Sequence, residues 1–204
     1  MDPDREWWLR VPAVLLSPRS VFAALRSEEQ EEIEARAEPV LALTLLAGIA
    51  VALGTSTARV LYDDPLYDPL TLAIWAILAG GFVAFAGYFI VGGALYLGAR
   101  GLGSAGTFRR ARHVLGFAVA PLALSALVLW PLGLAVFGTD LFKRGGEDDG
   151  TAGDLFYAAA LGFSLWAAVL LVVGVRVVHG WSWWRSLGAL GLVALFLAAF
   201  SFVF

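Results

Sequence analysis

The chain has 204 residues, is 60% hydrophobic, and carries a mean hydropathy of +0.79 with a formal net charge of −3. Several apolar runs near the ~20 residues of a membrane-crossing helix exclude an ordinary water-soluble domain and leave room for one helical bundle. With no cysteine, disulfides, thiolate zinc sites and redox motifs are excluded. The cations are thirteen arginines and one lysine, Lys143, a bias that with abundant Ala and Gly points to a GC-rich prokaryotic source.

Residues 1–38 form an amino-terminal region and 39–204 a membrane domain. The start, MDPDREWW, is acidic and lacks the basic-then-apolar pattern of a cleavable signal, so the first span is expected to act as an uncleaved one. Ser17 and Pro18 suit the N-cap and first position of a helix. Val21, Phe22 and Leu25 share one face of it, with Arg19 and Arg26 beside that face. Residues 5–26 are therefore expected to lie on the bilayer as an interfacial amphipathic segment, anchored by Trp7 and Trp8. Residues 27–38, SEEQEEIEARAE, set six acids against one arginine and read as a solvated helix stopped by Pro39.

Five apolar runs follow, at 39–58, 70–99, 114–137, 155–175 and 186–204, with no acidic or basic side chain in the central part of any. Each is long enough to cross ~30 Å of hydrocarbon as a helix. The fold class expected is all-α: a polytopic bundle of five transmembrane helices. Asp68 and Pro69 suit the start of the second span, and Thr107 the cap of the helix that becomes the third.

Lysine and arginine counts orient the bundle. The amino-terminal region holds five, the 100–112 loop four and the 176–185 turn two; the 59–69 loop holds one, the 138–154 loop two and the carboxyl end none. Cytoplasmic loops carry the excess of basic residues, so the N-terminus is inside and the C-terminus outside. Trp7, Trp8, Trp181, Trp183 and Trp184 then fall on the cytoplasmic side, at the level of an aromatic belt. The location expected is a prokaryotic cytoplasmic membrane, in multi-pass form.

Within the spans, Gly80, Ala84, Gly87, Ala94 and Gly98, with Val91 between them, fall on one face of the second helix. Small residues let helices approach closely in lipid, so this helix is expected to be central, with Gly87 at the closest contact and Gly48 of the first span outside it. Pro121 and Pro131 free the carbonyls of Phe117 and Leu127 and kink the third span, and Ser125 is placed to cover a freed carbonyl. Trp166 needs an acceptor for its indole N–H and is expected to point into the bundle.

The missing chemistry is informative. Proton pumps and intramembrane proteases need ionisable groups at depth, and no phosphate loop, paired carboxylate or HExxH pair occurs. His113 and His179 lie at the ends of spans three and four, too few for a zinc site. No catalytic residue, cofactor or metal ligand is assigned, and the chain is not expected to be an enzyme.

The run HVLGFAVAPLAL contains Gly116-Phe117-x-x-x-Pro121. This resembles the Gly-Tyr-x-x-x-Pro motif in the third span of the YIP family, five-span membrane proteins of vesicle trafficking with bacterial relatives. The segment W…LLSPRSVFAAL resembles the opening of bacterial members, and the similarity extends over nearly the whole chain. The Asp-Leu-Tyr-Gly-Pro segment linked in trafficking members with small GTPases is missing; Asp63-Asp64-Pro65-Leu66-Tyr67 has a different pattern and the opposite side. Binding of a Rab-type GTPase therefore does not carry over. The resemblance implies a non-enzymatic bundle that organises membrane or scaffolds partners. A small permease or transporter subunit is the alternative, resting on the prolines of span three and the glycines of span two.

The basic loop is the most functional feature. Arg109, Arg110 and Arg112 fall in the first turns of a helix, where the dipole already presents a positive end, so an outside group must offset their cost. Candidates are anionic headgroups, an acidic membrane-protein partner or second copy, and the chain's own 28–38 segment. Nucleic acid is not expected.

Overall fold

The computed structural model describes residues 3–27, 37–63, 68–143 and 150–203, and every regular element among the described residues is helical. α1 (Pro3–Leu16) and α2 (Pro18–Ser27) precede α3 (Glu38–Leu53) and α4 (Ser56–Asp63). α5 (Pro69–Ala86), a π-helical turn (Gly87–Val91) and α6 (Gly92–Gly101) form one rod. α7 (Phe108–Ala118), α8 (Ala120–Leu127) and α9 (Leu129–Phe137) form a second, which runs into a 3-10 turn (Gly138–Phe142). α10 (Thr151–His179) and α11 (Trp183–Val203) complete the chain.

Three stretches, Pro69–Gly101, Phe108–Phe142 and Thr151–His179, are long and apolar enough to cross a membrane. α3 and α11 are apolar too but shorter by that measure. Large apolar side chains cover the outside, among them Phe82 at 73% exposure and Leu78 at 69%. Such a surface calls for lipid around it.

Local signals set the helix ends. Asp68 accepts from Thr71 N–H at 2.8 Å, and Pro69 opens α5. Thr107 Oγ1 accepts from Arg110 N–H at 3.3 Å and opens α7. Gly180, at φ +65°, ends α10 in the left-handed conformation that glycine tolerates best. The first apolar run ends earlier than its hydropathy predicts: α3 stops at Leu53, and Gly54 and Thr55 separate it from α4. Thr55 Oγ1 turns back to Ala52 O at 2.7 Å.

The prolines act by restarting the helix. The backbone breaks at Val119 (ψ 5°) and again at Val128 (φ −121°). Pro121 then sits in the first turn of α8 and Pro131 in that of α9. A missing N–H costs little there. Ser125 covers neither predicted carbonyl, because its hydroxyl donates to Leu122 O at 2.7 Å.

The core corrects three expectations. Val21, Phe22 and Leu25 do share a face, but they are at most 4% exposed within the protein, against α10, instead of facing the bilayer. Gly174 makes the room: a Cβ there would lie 2.9 Å from Phe22 Cε1. Trp7 is not a belt residue. It is 2% exposed, set edge-on to His113 and beside Phe117. Trp166 is on the outer face, 37% exposed and stacked on Phe163, because α10 turns Ala167 and Leu170 inward instead.

Candidate functional site

The small-residue stripe is shared between two different neighbours. Gly80 meets α3, where its added Cβ would lie 2.7 Å from Ile49 Cα, and Gly98 meets Ala189 O of α11 at 2.9 Å. Ala84 and Ala94 are buried. Gly87 is not at a close contact, since a Cβ there meets nothing within 4 Å. The closest approach of backbone to backbone is at Gly48, whose Cβ would lie 2.2 Å from Gly80 O and 2.9 Å from Ala84 N. Spacing along one helix shows which face is small; which neighbour presses on each position depends on a second helix.

The Gly116-Phe117-x-x-x-Pro121 motif lies where α7 crosses α3. A Cβ on Gly116 would lie 2.2 Å from Val40 Cγ1, so only glycine admits the valine. Phe117 is fully buried beside Trp7, and Pro121 is buried two residues past the Val119 break. The motif thus fixes a helix crossing and the break after it.

Above this crossing lies the arginine-rich end. Arg112 is seated among three rings, with its guanidinium carbon 4.8 Å from the Tyr88 centroid, 5.0 Å from Phe89 and 4.5 Å from Phe108. Its stem lies across Gly92, where a Cβ would be 2.6 Å from Arg112 Cγ. The π-helical turn supplies Tyr88 and Phe89. Cation–π contact therefore supports one of the three cations that the helix start disfavours. Arg109 offers its carbonyl to His113 Nδ1–H at 3.1 Å, which ties the first turn to the buried ring.

Arg110 lines a cleft with Tyr96, Ser104, Thr107 and His179. The cleft holds about 10 Å³, the space of roughly one water. Ser104 Oγ lies 3.1 Å from His179 Nδ1, and the imidazole stacks on Trp181. Arg185 lies over that indole and donates to Leu102 O, Arg176 lies over Trp183, and Arg26 lies beside Gly180. The two histidines thus sit in separate settings, His113 with Trp7 and His179 with Ser104. Trp8, Trp183 and Trp184 project outward at this end, with Trp184 at 83% exposure.

The arrangement is a cationic, tryptophan-fringed surface built from α1, α2, α6, α7, α10 and α11. The ring seats were legible in part from spacing: Arg10 follows Trp7 by three, Arg100 follows Tyr96 by four, and Arg112 follows Phe108 by four. Arg185 likewise follows Trp181 by four, whereas Tyr88, Phe89 and Trp183 have no such local signal, since they meet their arginines through a turn or a second helix. Residues 28–36 of the acidic segment, one predicted counter-charge for the loop, lie outside the described residues.

Compared with known families, the chain matches the model of the Yip1 domain over residues 13–204. Neither the curated proteins nor the solved structures include a match. The matched region begins within α1, so the family unit includes α2 as well as the apolar helices.

Proposed function

The chain belongs to the Yip1 domain family, and on that premise we propose a non-enzymatic membrane protein whose arginine-rich end engages anionic headgroups and so organises membrane or scaffolds partners. In this reading α3, α5–α6, α7–α9, α10 and α11 are five spans of a prokaryotic cytoplasmic membrane. The arginine end is cytoplasmic and the C-terminus is outside. Basic residues concentrate on the cytoplasmic side of membrane proteins, which supports that orientation.

The observation that carries the function is the gathering of Arg26, Arg109, Arg110, Arg176 and Arg185 at one end of an otherwise apolar bundle, among outward tryptophans. Each basic residue near an anionic leaflet adds ~1 kcal/mol of attraction. An acidic membrane-protein partner or a second copy would meet the same surface.

The test changes Arg109, Arg110 and Arg112 together to Gln, keeping Arg100 to hold orientation. Tags at residue 1 and in the 100–112 loop should stay cytoplasmic, and tags at 145 and after 204 should be exported. Retention of anionic lipid and the set of co-purifying proteins should both fall. Unchanged retention and an unchanged set, with topology intact, would reduce the loop to an anchor.

A further inference from the structure

Hydrogen bonding sets Arg112 apart from its neighbours. Arg100 donates to the Tyr96 hydroxyl and Arg185 to Leu102 O. Arg112 Nε is buried and meets no acceptor, although Tyr88, Phe89 and Phe108 surround the guanidinium. Rings attract a cation through their faces but offer its N–H edge no lone pair. A buried donor on a cation is costly to leave so, and an anion at that edge removes the cost. The edge is also held in place. The stem lies so close to Gly92 that a Cβ there would stand 2.6 Å from Arg112 Cγ and 3.6 Å from its Cα. A guanidinium fixed in this way can receive two oxygens at once, which a phosphate offers. Phe89 is the exposed wall of the seat, so its ring can turn aside for a ligand.

A second observation indicates what carries the phosphate. Phe89 starts an exposed row that continues through Phe85, Phe82 and Leu78 along α5. Steps of four, three and four keep the row on one face, and the Phe85 and Phe89 ring centroids lie 4.7 Å apart. The row leads away from the arginine end for ~16 Å at ~1.5 Å per residue. One leaflet contributes ~15 Å of the hydrocarbon core. We infer that this face of the rod holds one anionic phospholipid, its phosphate on the Arg112 edge and an acyl chain along the row from Phe89 to Leu78. The site rests on the reading of the arginine-rich end as a headgroup surface, and narrows it to one lipid in one place. Charge selects the headgroup. Arg109 and Arg112 both act on the Tyr88 phenol, so an ammonium beside the phosphate would meet like charge. Phosphatidylglycerol fits, and phosphatidylethanolamine does not.

The test uses the full chain, purified in detergent and stripped of lipid, with adducts read by native mass spectrometry. Dioleoylphosphatidylglycerol should bind at least ~10-fold tighter than dioleoylphosphatidylethanolamine. Excess inorganic phosphate should not displace it, because phosphate alone has no chain to lie on the row. Arg112→Gln and Gly92→Ala should each weaken binding ~10-fold, the first by removing the fork and the second by pushing it off its seat with every charge kept. Phe89→Leu changes only the exposed wall, so it serves even where Gly92→Ala fails to fold, and should weaken binding ~3-fold. Arg19→Gln, the same loss of charge at an exposed position of α2, should bind as wild type. Equal binding of the two lipids, displacement by inorganic phosphate, or wild-type binding in both Arg112→Gln and Phe89→Leu would overturn the inference. If the triple Gln variant loses anionic lipid while Gly92→Ala and Phe89→Leu bind as wild type, the charged surface stands and the Arg112 site falls. If the triple variant also binds as wild type, both fall.

Discussion

Gly48→Ala and Gly87→Ala make the sharpest test of the packing, because both lie beside the α3–α5 rod contact and the structure assigns them opposite outcomes. At Gly48 the added methyl meets backbone: Gly80 O at 2.2 Å and Ala84 N at 2.9 Å. Backbone cannot swing aside as a side-chain tip can, so the two helices must separate. Overpacking by one methyl group costs ~1–3 kcal/mol. In lipid the lost contacts have no hydrophobic compensation, because close packing itself drives helix association. At ~2–4 °C per kcal/mol for a chain of this size, the melting midpoint should fall by ~2–12 °C. At Gly87 the methyl meets nothing within 4 Å, and Ala favours helix over Gly by ~1 kcal/mol, so the midpoint should hold or rise. The assay is thermal unfolding in mild detergent, followed by helical circular dichroism. Equal tolerance of both changes, or loss at Gly87 alone, would refute the assignment of the closest backbone contact to Gly48 and Gly80.

Three other outcomes follow from the same geometry. Gly116→Ala should destabilise the fold by pressing on Val40 Cγ1 at 2.2 Å, and Val40→Ala should rescue it in the double variant, a coupling readable as non-additive melting shifts. Arg112→Ala should lower stability by ~1–2 kcal/mol through loss of its aromatic seat, and Arg112→Lys should restore only part of that, since a compact ammonium stacks less well than a planar guanidinium. Asp68 is held below the usual carboxylate range, first by the Thr71 backbone N–H and then by its hydroxyl. Its capping contribution is therefore full at neutral pH and fades as pH falls below the ordinary aspartate value toward the lowered one. Asp68→Ala should lose stability at pH 7 and show a flatter acid limb in a pH–melting series.

Signals confined to a few neighbouring residues were legible in the sequence. Thr107 and Asp68 cap their helices as a side-chain oxygen three residues before a donor must. Val21, Phe22 and Leu25 share a face by helical spacing alone. The apolar runs and the family motif were equally plain, because hydropathy and residue order need no tertiary partner. What covers each face was not legible. Both lipid tails and neighbouring helices are apolar, so nothing in the pattern tells a lipid-facing Trp166 from a buried Trp7. Glycines in a stripe look alike until another helix arrives: Gly80 meets Ile49, Gly98 meets Ala189, and Gly87 borders open space. Ser125 had two plausible carbonyls and chose a third once the backbone broke at Val119 and Val128 instead of bending at the prolines. The sequence by itself determined the helical membrane class, the caps and the charged end. Only the tertiary structure decided that α2 is buried in the bundle, that Gly48 and Gly80 make its closest backbone contact, and that Tyr88 and Phe89 seat Arg112. Each of those depends on the register between helices distant in the chain, which no local periodicity encodes.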